Sequence, residues 1–188
     1  MKQTVILGDS IFKGVLLAAD ENRYYVSREI DWAAIGREFG ADIRNLSKMG
    51  CRTTHAPEIL KKYLEKNDRP EVIVIELGGN DCDYDWKTVA KSPSRAYQPL
   101  TPFGQFQENY RALIALAQAN AGKVILVNLP PIDEKSYFEW ITRKGESREN
   151  ILYFLHDDIG RIYRDQEMYS ERIGKLAAET GCKLIDIR

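Results

Sequence analysis

Three short segments of this 188-residue chain bring a hydroxyl together with groups suited to holding negative charge. The first is Gly8-Asp9-Ser10-Ile11, directly after an apolar run. A serine at a strand-to-helix turn places its hydroxyl at the C-terminal edge of a sheet, beside helix N-terminal amides that stabilise an anion. The second runs from Asn45 to Thr53 and contains Gly50, where a missing side chain lets the backbone N–H come close to a ligand. The third is Gly78-Gly79-Asn80-Asp81, whose glycines allow a sharp turn that aims the Asn80 amide at the same crevice. Asp9 and Asp81 are expected to brace their loops through hydrogen bonds, since a buried turn aspartate usually satisfies backbone amides. Each segment alone is an ordinary turn sequence. Their order is what distinguishes them, because each closes a successive predicted strand.

Those strands are short apolar runs rich in β-branched residues: Thr4 to Leu7, Asp42 to Leu46, Val72 to Leu77, Lys123 to Leu129 and Lys183 to Ile187. Val72-Ile73-Val74-Ile75 and Val124-Ile125-Leu126-Val127 are continuous rather than alternating, as parallel strands covered on both faces require. Helical stripes separate them. Ile59, Leu60, Tyr63 and Leu64 form one, entered through Thr53, Thr54 and Pro57; Phe106, Tyr110, Leu113, Ile114 and Ala117 form the next; Ile162, Tyr169, Ile173, Leu176 and Ala177 form a third, stopped by Gly181. Alternating strands and helices predict an α/β protein, a three-layer α/β/α sandwich built from right-handed crossovers. With the strands ordered 2-1-3, the ends carrying Ser10, Gly50 and Asn80 are neighbours. Two segments fall outside this pattern, 81–102 with Tyr84, Trp86 and Tyr97, and 132–150 with Tyr137, Phe138 and Trp140. Both follow C-terminal strand ends, where open α/β sheets bind ligands, and are expected as lids, pocket walls or locally packed excursions.

Length and composition suit one domain spanning 1–188, with hydrophobic residues at 44% and charged residues at 29%. A formal net charge of −1 without basic clusters argues against nucleic acid or an anionic membrane as partner. Cys51, Cys82 and Cys182 are widely spaced and odd in number, which suggests reduced thiols and a cytoplasmic location. The N-terminal apolar run is broken by Gly8-Asp9-Ser10 and is too short for a signal peptide, and no stretch approaches the roughly 20 apolar residues of a membrane-spanning helix.

With these segments in order, the chain resembles the SGNH hydrolase superfamily, the GDSL-type esterases and lipases. Gly8-Asp9-Ser10-Ile11 is similar to its first block, the segment around Gly50 to its second and Gly78-Gly79-Asn80-Asp81 to its third. The resemblance implies a flavodoxin-like parallel five-stranded sheet of order 2-1-3-4-5. It implies Ser10 as nucleophile, with Ser10 N–H, Gly50 N–H and the Asn80 side chain as oxyanion hole. The chemistry would be acyl transfer without metal or cofactor, on a small-molecule or carbohydrate ester, with sugar deacetylation as the narrower expectation. The Gly-x-Ser-x-Gly elbow of α/β-hydrolases is absent at Ser10.

A serine also needs a base. The resemblance implies an Asp-x-x-His motif after the fifth strand, and the sequence closes at Cys182-Lys183-Leu184-Ile185-Asp186-Ile187-Arg188 without one. Asp186 lies at the right edge, but neither His55, at a helix start, nor His156, in Phe154-Leu155-His156-Asp157, stands in that frame. The expectation is a C-terminally incomplete esterase, whose uncovered side would favour self-association or a second chain. The alternative is an inactive ligand-binding or interaction domain of the same fold.

Overall fold

The β-branched runs form the strands of one sheet because, buried on both sides, they can satisfy their backbone groups only by pairing. The structure, a computed structural model, describes residues 1–18 and 23–188. Strands β1 (Lys2–Gly8), β4 (Ala41–Asn45), β5 (Val72–Glu76), β6 (Lys123–Val127) and β7 (Lys183–Ile185) lie in the order β4-β1-β5-β6-β7, all parallel. This is the 2-1-3-4-5 order counted over the sheet strands alone. The register aligns Gly8 with Glu76, Val127 and Ile185 in turn across the sheet, so the C-terminal ends of β1, β5, β6 and β7 form one edge.

The two faces are covered unequally. Val5, Leu7, Ile73, Ile75, Val124 and Leu126 are buried in one cluster with residues of helices α2 (Ala56–Leu64), α4 (Phe103–Asn120) and α7 (Gly160–Thr180). The predicted stripes supply that cluster except for Ile162, which is buried in a second one, and Gly181 closes α7 at φ 70°, as its position suggested. On the other face Val72, Val74 and Ile125 are half-buried and Ile185 is exposed. There, α1 (Trp32–Glu38) packs on β4, and Gly36 makes that approach possible, since a Cβ would lie 2.5 Å from the Ala41 carbonyl oxygen. The layers are those of an α/β/α sandwich.

Two local expectations change. Ser10 does not open a helix. Residues 10–14 make one tight turn, closed by Gly14 at φ 75°, and the chain continues into an antiparallel hairpin of β2 (Val15–Ala18) and β3 (Arg23–Val26). Gly14 ends the helical course, and the branched and aromatic residues of Val15-Leu16-Leu17 and Tyr24-Tyr25-Val26 favour extended backbone. The amides beside Ser10 therefore belong to a turn, not to a helix N-terminus.

The two aromatic excursions are also more ordered than loops. They hold α3 (Trp86–Lys91), α5 (Glu134–Thr142) and the start of α6 (Arg148–Phe154). Asp85, Asp133 and Ser147 cap them, each accepting hydrogen bonds from backbone N–H groups two or three residues on. Together they bury a second apolar cluster around Phe138, Ile151 and Phe154. Six to nine residues carry too few turns for a clear apolar stripe.

Candidate active site

Strand β1 delivers its last residues into a crowded edge. A Cβ on Gly8 would lie 2.9 Å from Phe12 Cβ, 2.9 Å from Ser47 Oγ and 3.3 Å from the Glu76 carbonyl oxygen, so only glycine fits without displacing its neighbours. Asp9 follows, buried, with both carboxylate oxygens in use. Oδ1 accepts the Ile11 backbone N–H at 2.9 Å and Oδ2 accepts Asn80 Nδ2 at 3.0 Å. The turn is closed by Lys13 N–H donating to the Asp9 carbonyl at 3.1 Å. Ser10 sits half-buried at its start.

The other two loops are tied to this one. Lys48 N–H donates to the Gly8 carbonyl at 3.1 Å, and Gly50 takes φ 70°, a left-handed conformation that glycine adopts freely. Beyond β5, Gly78 at φ 136° reverses the chain, and its carbonyl accepts the N–H groups of Asp81 and Cys82. Asp81 is wholly buried and reaches across to the Gly50 loop, accepting Thr53 Oγ1–H at 2.6 Å and Thr53 N–H at 3.2 Å. Both aspartates thus brace loops, as expected from their positions. Thr53 entered the sequence reading only as a helix approach, and the separation of 28 residues from Asp81 hides the pairing.

Ser10, Gly50 and Asn80 all line one cavity of about 730 Å³. Among the described residues, neither Ser10 N–H nor Gly50 N–H donates to another protein group. Asn80 differs. Its Nδ2 donates to Asp9 Oδ2 at 3.0 Å and to the Cys51 carbonyl at 3.2 Å, so both amide protons are engaged. A substrate oxygen that used Asn80 would compete with the Cys51 carbonyl.

Aromatic side chains line the same cavity. Tyr84 and Trp86 come from the first excursion and Tyr137 and Trp140 from the second, while Tyr97 and Phe138 turn away. Tyr97 donates to the Thr88 and Ser92 carbonyls, and Phe138 is buried in the second cluster. The hairpin adds Leu17 and Tyr24, the latter with its ring 4.9 Å from that of Trp140. The only signal for these two strands is their branched and aromatic residues, Val15-Leu16-Leu17 and Tyr24-Tyr25-Val26. The charged residues lining the cavity are all aspartates, Asp9, Asp83, Asp133 and Asp165, with no lysine or arginine among the described residues. Asp83 Oδ1 accepts Trp86 Nε1–H at 2.7 Å and Tyr84 N–H at 2.9 Å, and burial raises its pKa. Such a surface offers acceptors and ring faces to a neutral hydroxyl-bearing ligand and opposes an anionic one.

Burial dominates the titration of the site. The Asp9 carboxyl is pushed up to about 6, opposed by the Ile11 N–H. Behind it Glu76, wholly buried at the end of β5, is pushed up to about 8 by desolvation and then by the Asp9 charge. Neither Glu76 carboxyl oxygen has a hydrogen-bond partner; the Asp9 backbone N–H, outside hydrogen-bonding geometry, offsets the shift only in part.

Neither histidine lines the cavity. His55 is exposed at the start of α2, with Nδ1 3.4 Å from Thr54 Oγ1. His156 is exposed in the bend after α6, at φ 58°. Asp186 accepts Asn128 Nδ2–H at 2.7 Å and the Arg188 N–H at 3.1 Å, which lowers its pKa. No helix is long and apolar enough to cross a membrane among the described residues.

Known structures share this architecture. A lipase/acylhydrolase from Enterococcus faecalis is 19% identical with a TM-score of 0.64, over 100% of this chain and 76% of its own. An acetylxylan esterase from Geobacillus stearothermophilus, solved as a catalytic mutant, is 14% identical with a TM-score of 0.62, over 98% of this chain and 75% of its own. A psychrotrophic esterase from Pseudoalteromonas, inhibited by monoethylphosphonate, is 20% identical with a TM-score of 0.57, over 99% and 77%. No curated protein matches the chain. Residues 6–188 match the family directly, and the chain belongs to the GDSL-like lipase/acylhydrolase family.

Proposed function

We propose that this protein is a serine ester hydrolase. Ser10 Oγ attacks the ester carbonyl, and Ser10 N–H, Gly50 N–H and the Asn80 amide receive the negative oxygen of the tetrahedral intermediate. The observation that carries this reading is that Ser10 and Gly50, with N–H groups unengaged among the described residues, line the same cavity as Asn80. Donors placed where charge develops are each worth about 10²–10³ in rate. The substrate is a small acyl ester of a neutral, hydroxyl-rich alcohol, with a carbohydrate acetate as the leading case. Aromatic walls and carboxylate acceptors suit a sugar, and one structural neighbour is an acetylxylan esterase.

Neither His55 nor His156 lines the cavity, so neither is placed to serve as the base that Ser10 needs. A second reading, a binding domain for acylated ligands, is favoured by that observation and by the two bonds engaging the Asn80 amide. A fluorophosphonate probe separates the two. Stoichiometric labelling that vanishes in Ser10→Ala supports the hydrolase, with acetyl esters cleaved faster than long-chain ones. Binding of acetylated sugars without labelling supports the binding domain. Equal labelling of the Ser10→Ala variant overturns Ser10 as nucleophile.

A further inference from the structure

Glu76 stands at the end of a central strand with no exposed surface and no partner for either carboxyl oxygen. An ionised carboxylate in that position would bear most of the desolvation penalty of a buried charge, since the Asp9 N–H offsets it only in part. The register places it beside Gly8, directly before Asp9, whose two oxygens hold Ile11 N–H and the Asn80 amide. Asp9 is therefore an acceptor on both oxygens, and these two bonds favour its ionised form. The Asp9 charge opposes ionisation of Glu76 in this buried setting, so the pair holds one charge more readily than two. We infer that Glu76 is a positioning residue: as a neutral acid it lets Asp9 carry the pair's single charge, and so fixes the Asn80 amide at the crevice wall.

This inference deepens the hydrolase reading, because Asn80 is one of the proposed oxyanion donors. Burial also raises the pKa of the groups that surround the pair. Cys51, from the loop before α2, is pushed up to about 11, and Tyr110, facing from α4, is raised well above its ordinary value, both by burial first. Asp81, on the loop after β5, adds repulsion to Asp9 and is held by Thr53. No lysine, arginine or histidine acts on either Asp9 or Glu76. Raising the pH through about 8 should charge Glu76, repel Asp9 and disturb Asn80; lowering it through about 6 should remove the Asp9 acceptor.

The test is the side-chain amide resonance of Asn80 in ¹⁵N-labelled protein, assigned by its loss in Asn80→Ala and followed from pH 5 to 9.5. The expected result is two limbs in the wild type, near 6 and near 8, with only the acidic limb left in Glu76→Gln. A flat wild-type titration overturns the inference, as does an alkaline limb that survives in Glu76→Gln. If that variant does not fold, the wild-type infrared spectrum decides. A protonated-carboxyl carbonyl band at pH 7 that is lost by pH 9.5 supports the neutral acid, and its absence at pH 7 refutes it. Neither readout needs turnover, so failure of the hydrolase reading would be seen separately, as absent labelling of Ser10.

Discussion

Stability should fall as pH rises from 6 to 8, and Glu76 should be the main cause. In the unfolded chain its carboxyl titrates near 4.5, whereas in the fold it titrates near 8. Between those values the native state holds a proton that the unfolded state has lost. Stability therefore declines with rising pH, by at most about 1.4 kcal/mol per pH unit. Integrated from pH 6 to 8, with the slope flattening near the upper end, Glu76 accounts for about 2 kcal/mol. Asp9, shifted from 3.8 to about 6, acts in the same direction but has mostly finished by pH 6. Lowered carboxyls such as Asp133, Glu139 and Asp158 act oppositely, below their ordinary values, and being exposed contribute little. For a chain of this size about 2 kcal/mol is a Tm difference of roughly 4–8 °C. Urea denaturation of the wild type and Glu76→Gln at pH 6, 7 and 8 measures it. The wild type should lose stability across the series while Glu76→Gln stays nearly flat. A wild type that gains stability with pH, or a variant with the same slope, would refute a neutral buried Glu76.

Two substitutions test how the three loops are held. Thr53→Val keeps the shape but removes the 2.6 Å hydroxyl bond to the buried Asp81 carboxylate, and should cost about 1.5–3 kcal/mol in urea denaturation. Gly8→Ala inserts a Cβ 2.9 Å from both Phe12 Cβ and Ser47 Oγ, and should cost about 1–3 kcal/mol by overpacking. Because the shift moves the Ser10 turn, fluorophosphonate labelling should slow by up to about 10²-fold, the cost of a 1 Å misplacement.

The parts of the fold that sequence patterns reveal are those with long-range consistency. Five β-branched runs separated by apolar stripes specify a parallel sheet, because burial on both faces requires continuous rather than alternating hydrophobicity. The hairpin after Ser10 was hidden for the opposite reason. Gly-Asp-Ser at the end of a strand reads as a strand-to-helix turn, and only the left-handed Gly14 and the cross-strand pairing of Leu17 with Tyr24 show that the chain turns back. The short helices α3, α5 and α6 carry legible caps at Asp85, Asp133 and Ser147, but too few turns to show a stripe.

Within the site, residue type and strand-end position were enough to bring Ser10, Gly50 and Asn80 to one cavity, since the sheet order alone makes their loops neighbours. What they do there depends on contacts that no local pattern carries. Asn80 is fixed by Asp9, 71 residues away, and by the Cys51 carbonyl, and Asp81 by a threonine 28 residues back. Glu76 is the clearest case. It ends the run Val72-Ile73-Val74-Ile75-Glu76, where a carboxylate would ordinarily mark the point at which a strand reaches water. Here it is wholly buried beside Asp9, and among the described residues no cation acts on it. A carboxyl buried without a counter-ion is cheaper to keep neutral than charged, and a neutral Glu76 leaves the negative charge on Asp9, where it orients the amide that the proposed chemistry would use.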